Sequence, residues 1–403
     1  MTRGAREVET ASQEFPRLTF DVWGSVPFPT KLTREALVQR ILFCLRTGPK
    51  HDAQICGEVG ASADEVQAGL AELARWFLVK KEGDSGWVAD IPIFAKREVE
   101  IASEIGRRYA QAEAEILKNS IPGLRMAYEH CRAAKVFPWR EAALVVVGAL
   151  CADFCVSDRV PFRQEYLDEA FLPPLHPDGK RWGYVGREAM ASPIPDRKYR
   201  FYQNLSRDSG GGISRFGYYG SFDEKRQSPP SRPERLRYCD AGKIWLSLAE
   251  GPLSLTAIHE RTGIQAETVQ AAVHEMCAWR PPGLVKTGDN GYLAGIPIFS
   301  SEELVTLLAE ADHVAEMIHR DVSIPMQKEL ESTGKRLGLR FPLPSDASAR
   351  DIALQLLSGA GTLPPIPQPP VPWSFGVWGW QGHLPMWEEV TTSIPPTPCP
   401  RPR

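Results

Sequence analysis

No C-x-x-C pair occurs in this 403-residue chain, although it holds eight cysteines. The usual structural zinc spacings are therefore missing. Several of the eight (Cys44, Cys56, Cys131, Cys151, Cys155, Cys239, Cys277 and Cys399) fall inside apolar helical patterns, which suits reduced, buried thiols and predicts a cytoplasmic protein. Cys151 and Cys155 lie one helical turn apart, a spacing two metal ligands can share, but with no further ligand pattern no metal or cofactor is expected. The opening MTRGAREVETASQEF has no apolar h-region and does not read as a secretory signal. The longest apolar run, 142–152, is closed by Asp153 and is too short to cross a bilayer. It reads as a buried helix, and no membrane partner is expected.

An excess of either charge is also missing. With 47 basic against 50 acidic residues the net charge is −3, so no overall positive charge announces a nucleic acid and any basic surface must be local. The catalytic signatures G-x-x-x-x-G-K-[ST], H-E-x-x-H and G-x-S-x-G are absent. The stretch RDSGGGISR lacks the lysine and the strand-to-helix context of a phosphate loop and reads as a flexible turn. Eight scattered histidines offer no nucleophile and base pair, so the chain is not expected to be an enzyme.

What the sequence does contain is itself, twice. GWVADIPIF at 86–94 returns as GYLAGIPIF at 291–299. Gly48-Pro49 answers Gly251-Pro252, Gly60 answers Gly263, and Val66-Gln67-Ala68 answers Val269-Gln270-Ala271. The series continues in order: Trp76 with Trp279, Leu78-Val79-Lys80 with Leu284-Val285-Lys286, Ser120-Ile121-Pro122 with Ser323-Ile324-Pro325, and Phe137-Pro138 with Phe341-Pro342. It ends with WGYVG at 182–186 against WGWQG at 378–382. A collinear series of this length reads as an internal duplication. Its half boundary falls near 190–233, where Gly210-Gly211-Gly212 and SPPSRP mark a linker or insertion.

Within each copy the periodicity is that of short helices followed by a hairpin. LSLTAIHERTGIQAETVQAAVHEM places Ile258, Val269, Val273 and Met276 inward with Gly263 at a sharp turn, after a helix carrying Ile244, Leu246 and Leu248; GLVKTGDNGYLAG reads as a hairpin. The first copy predicts helices over 34–47, 52–58 and 63–77, the third opened by a capping box from Ser62 to Glu65, and then a hairpin of Val79-Lys80-Lys81 against Trp87-Val88-Ala89. At these residues, about 45 in each half, the chain resembles the winged helix-turn-helix regulators of the ArsR and MarR type. The resemblance implies a DNA-binding transcriptional regulator, commonly a dimer, with its third helix in the major groove.

The fold expected is therefore α+β and mostly helical: two repeated winged-helix units, each with a helical extension, related by a pseudo-twofold. The domain reading is an N-terminal arm (1–30), winged helix (31–94), helical extension (95–175), basic and aromatic Gly-rich connector (176–232), winged helix (233–299), helical extension (300–361) and a Pro-rich, aromatic C-terminal segment (362–403). In the first extension 98–118 reads as one amphipathic helix, SIPGLRMAYEHCRAA as a second with proline at its start, and WREAALVVVGALCADF as a third. LPPIPQPPVP reads as a polyproline strut and PPTPCPRPR as a disordered tail.

The presumed reading helices carry the wrong charge. With Val66, Leu70 and Leu73 inward, the first shows Asp64, Glu65, Ala68, Ala71, Glu72 and Arg75; the second shows Glu267, Thr268, Ala271, His274, Glu275 and Ala278. Phosphates repel both faces, and backbone electrostatics supply much of any DNA affinity. The wing lysines Lys80, Lys81 and Lys286 stand beside Glu82, Asp84 and Asp289. The connector differs: Arg181, Arg187, Arg197, Lys198, Arg200, Arg207 and Arg215 alternate with tyrosines and phenylalanines, a composition suited to phosphate contact and base stacking. The nucleic-acid candidates are those seven residues with Lys80, Lys81 and Lys286, and the partner they imply is double-stranded DNA. The competing reading is a non-DNA-binding interaction scaffold, partnered by another protein or a second copy, or a ligand sensor with Trp182, Tyr184, Trp378 and Trp380 lining a pocket.

Overall fold

A computed structural model describes residues 15–23, 31–159, 183–188, 200–207, 213–222, 243–245, 247–278, 285–344, 348–365 and 378–381. The protein is α+β and mostly helical, with small sheets. Its chain divides into two compact units, Met1–Ser103 with Leu172–Ser192 and Lys328–Ser345, and Glu104–Phe171 with Pro193–Gln327 and Asp346–Arg403.

The first unit opens with strand β1 (Leu18–Trp23), followed by helices α1 (Ala36–Cys44), α2 (Asp52–Val59) and α3 (Ala63–Arg75). Their apolar residues recur at helical spacing, so Val38, Ile41 and Leu42, then Ile55 and Val59, then Val66, Leu70 and Leu73 all meet in one buried core. Gly60, at φ 65, ends α2 in the left-handed conformation that terminates many helices. Two residues later Ser62 starts α3: its hydroxyl accepts from the Glu65 N–H, and the Glu65 carboxylate accepts from the Ser62 N–H at 2.9 Å. The helix read through Phe77 stops at Arg75, because Phe77 itself takes φ 55.

Strands β2 (Val79–Lys81) and β3 (Trp87–Ala89) then form an antiparallel hairpin, Val79 opposite Ala89 and Lys81 opposite Trp87. A third segment crosses it. Lys50, between α1 and α2, exchanges two 2.8 Å backbone hydrogen bonds with Trp87. This close approach dictates the residue before Trp87: Gly86 sits at φ 103, and a Cβ there would collide with the Lys50 carbonyl. Strand β4 (Ile93–Phe94) runs parallel to β5 (Gly183–Glu188), which pairs antiparallel with β1, giving the order β1-β5-β4.

Helix α4 (Lys96–Glu129) is a single helix of 34 residues, not two: Pro122 lies inside it. The sequence pattern places that proline at a helix start. A proline forfeits one backbone hydrogen bond, and Leu117, Leu124 and Tyr128 on either side of it share one buried core that keeps the helix continuous.

In the second unit α5 (Trp139–Ala143) runs directly into a π-helix, Leu144–Arg159, whose residues 144–155 are all buried. The apolar run is thus a buried helix, as read, but wound more widely than an α-helix. Helix α6 (Leu255–Thr262) ends at Gly263, at φ 68, and α7 (Ala266–Ala278) follows. Strands β6 (Arg200–Arg207) and β7 (Ile213–Phe222) form a long antiparallel ribbon, while β8 (Val285–Gly288) and β9 (Gly291–Ala294) form a short hairpin. Leu253, just before α6, exchanges two 2.8 Å backbone hydrogen bonds with Tyr292. Gly291, at φ 120, again has no room for a Cβ against the Leu253 backbone. Strands β10 (Ile298–Phe299) and β11 (Trp378–Gln381) complete a four-stranded sheet in the order β10-β11-β7-β6.

Ile244, Trp245 and Leu248 pack on Ile258, Val269, Val273 and Met276 to make one core of this unit. Helices α8 (Ser301–Ile318) and α10 (Ser348–Gly359) pack with the π-helix and α4 in the other. Between α8 and α10, a π-turn at His319–Ser323 leads into helix α9 (Ile324–Arg336). Most of the polyproline stretch and the whole of the tail lie outside the described residues, as do Leu246, Trp279 and Leu284. Among the described residues no helix is long and apolar enough to cross a membrane.

Candidate functional site

The exposed face of α3 carries Asp64, Glu65, Ala68, Ala71 and Arg75, with Glu72 half-buried. Two of its acids hold local structure. Glu65 belongs to the capping box, and its hydrogen bonds from Ser62 keep its carboxyl below the usual range. Glu72 accepts from the Trp76 indole N–H at 3.1 Å and lies 3.6 Å from Arg75. Helix α7 exposes Glu267, Thr268, Ala271, His274 and Ala278. Neither face offers the row of cations that a phosphate backbone attracts.

The hairpin lysines each have an internal partner. Lys80 lies 2.5 Å from Asp90, Lys81 sits 5.2 Å above the Trp87 ring, and Lys286 lies 3.6 Å from Glu141 and 5.7 Å from the Phe137 ring. At the first hairpin tip Glu82 accepts from Arg340 at 3.0 Å. Exposed pairs of this kind are worth roughly 0–1 kcal/mol, so they occupy the lysines without locking them.

Of the connector cations, Arg181, Arg197 and Lys198 lie outside the described residues, and so does Trp182. Arg187 is half-buried on β5, where its carbonyl accepts from the Thr19 hydroxyl at 3.3 Å. Arg200, Arg207 and Arg215 stand on the β6 and β7 ribbon. Its register sets Arg207 directly opposite Arg215, Arg200 opposite Phe222, and the aromatic positions Tyr202, Phe216, Tyr218 and Tyr219 between these two ends. Arg215 is also opposite Trp380 of β11. Of the pocket candidates, Tyr184 stands on β5 and Trp378 and Trp380 on β11, in two different sheets.

A cluster the sequence reading passed over lies in the α4, π-helix and α10 core. Asp153, from the π-helix, is ion-paired with Arg350 of α10, and Glu113 of α4 is buried near the same guanidinium. Burial lifts the Glu113 carboxyl to about 7, against the opposing pull of Arg350, and burial raises Asp153 as well. Oε1 of Glu113 and Oδ2 of Asp153 are buried without a hydrogen-bond partner. Cys151 is fully buried, its thiol donating to the Ala311 carbonyl at 3.6 Å, and burial raises it well above the usual thiol range. Such a thiol is inert. The one sequence signal here was Asp153, the charge that closes the apolar run. Among the described residues no three or more His, Cys, Asp or Glu side chains are placed to hold a metal ion. Comparisons with family models, with curated proteins and with solved structures returned no match.

Proposed function

We propose that the chain is a duplicated winged helix-turn-helix protein of the regulator type, and that it binds double-stranded DNA through the β6 and β7 ribbon in preference to its third helices. One observation supports the winged-helix reading above the rest. In both segments the residue just before the second helix, Lys50 or Leu253, pairs with the residue after the hairpin glycine, Trp87 or Tyr292. A winged helix makes this crossing, in which a short strand ahead of the second helix joins the two wing strands. Both glycines that open the last wing strand lack room for a side chain because of it.

The ribbon is favoured as the DNA surface because the alternatives are acidic or already paired. The ribbon's register sets the arginine positions 207 and 215 opposite each other, and a phosphate backbone supplies anions that a basic segment can meet in series. A second reading, an interaction scaffold that does not touch DNA, is favoured by the internal partners of Lys80, Lys81 and Lys286. Fluorescence anisotropy of the full chain with random-sequence duplex DNA separates the two. The regulator reading expects binding that weakens linearly in log salt. If no salt-sensitive binding occurs even at low ionic strength, the scaffold reading replaces it.

A further inference from the structure

The Glu113 cluster plays no part in the DNA reading, and it is expensive to keep. Carboxylates in a dry interior are tolerated when paired and fully hydrogen-bonded; Asp153 is paired with Arg350 but leaves Oδ2 unpartnered, and Oε1 of Glu113 is unpartnered as well. The three residues come from three different elements, α4, the π-helix and α10, so their charge state is felt by the packing of all three. π-helical segments are rare and recur at functional positions, and this one contributes both Asp153 and Cys151.

We propose that Glu113, Asp153 and Arg350 form a proton-operated latch on helix α10. With Glu113 protonated, the cluster holds one carboxylate against one guanidinium. With Glu113 ionised, it holds two carboxylates against one guanidinium, and the unbalanced charge loosens the seat of α10. The cation whose charge is felt at both Glu113 and Asp153 is Arg350. Other titratable groups of this core are Cys151 of the π-helix, which stays a thiol, Asp312 and Glu310 of α8, whose charges are felt at Cys151, and the buried His319 that follows α8.

The direction follows from linkage. The folded state holds the Glu113 proton to about pH 7, whereas an unburied glutamate releases it near 4.5. Stability is therefore greatest in acid and falls as pH rises between those values. Asp153, also raised, acts in the same direction. The test is urea unfolding of the full chain from pH 5 to pH 8, wild type against Glu113→Gln, with amide hydrogen exchange of the α10 segment followed in the wild type. Relative to the variant, the wild-type unfolding constant is expected to grow on the order of fiftyfold across this range. Protection of α10, corrected for intrinsic exchange rates, is expected to fall over the same range, while that of α7 stays level. A flat difference between wild type and variant overturns the proposal, and so does α10 protection that follows α7. The exchange measurement needs no variant, so it decides the question even if Glu113→Gln does not fold.

Discussion

The segments around the two hairpins agree where backbone meets backbone and disagree where side chains meet solvent. Both have a left-handed glycine after the second helix, Gly60 or Gly263, and a glycine pressed against a crossing strand, Gly86 or Gly291. The hairpin lysines share no such pattern: Lys80 pairs with Asp90 one residue beyond its own hairpin, whereas Lys286 reaches Glu141 on α5. Steric exclusion allows one solution and keeps it in both places. A solvated ion pair contributes little and drifts. Function is therefore better sought in what the segments do not share, and the β6 and β7 ribbon belongs to neither.

The comparison breaks most visibly at its glycines. Gly86→Ala and Gly291→Ala each add a Cβ where backbone already stands and force an L-residue to positive φ. Each is expected to cost about 3 kcal/mol or more in urea denaturation. If either is tolerated, the two crossings are not equivalent. A smaller effect separates the helix starts. Ser62 both caps α3 and anchors Glu65, while Ser254 caps α6 by accepting from the Ala257 N–H at 3.2 Å. Ser62→Ala is expected to cost about 1 kcal/mol, and Ser254→Ala the same or less, in the same assay. Smallest of all, Lys80→Ala and Lys286→Ala are expected to shift stability by under about 0.5 kcal/mol and to leave DNA affinity within twofold by anisotropy.

The hairpin of 79–81 against 87–89 was legible to the residue, because Glu82 to Gly86 is a polar, glycine-containing tip between Leu78-Val79 and Trp87-Val88-Ala89. Helix starts were legible where a cap marks them, as at Ser62. Pro122 misled, because its effect depends on the packing around it: the core on both sides carries α4 through. The Glu113 cluster was illegible for a related reason. In QAEAEILK nothing in the spacing tells buried Glu113 from exposed Glu115, and only the arrival of Arg350 from far along the chain gives the site its chemistry. The connector was read as one basic segment, and the structure distributes its described residues over two sheets, leaving Arg187 half-buried and Arg200, Arg207 and Arg215 on the ribbon.

The most direct test is the salt dependence of duplex DNA binding by Arg200→Ala/Arg207→Ala/Arg215→Ala beside that of Asp64→Lys/Glu267→Lys, which alters the third-helix faces without disturbing the Glu65 cap or the Glu72 contact with Trp76. Loss of the ribbon arginines is expected to weaken binding and to reduce the slope of log affinity against log salt by about one for each phosphate contact removed. The helix reversal is expected to strengthen nonspecific binding. If the arginine variant binds with unchanged affinity and slope, the ribbon is not the DNA surface and the account is contradicted.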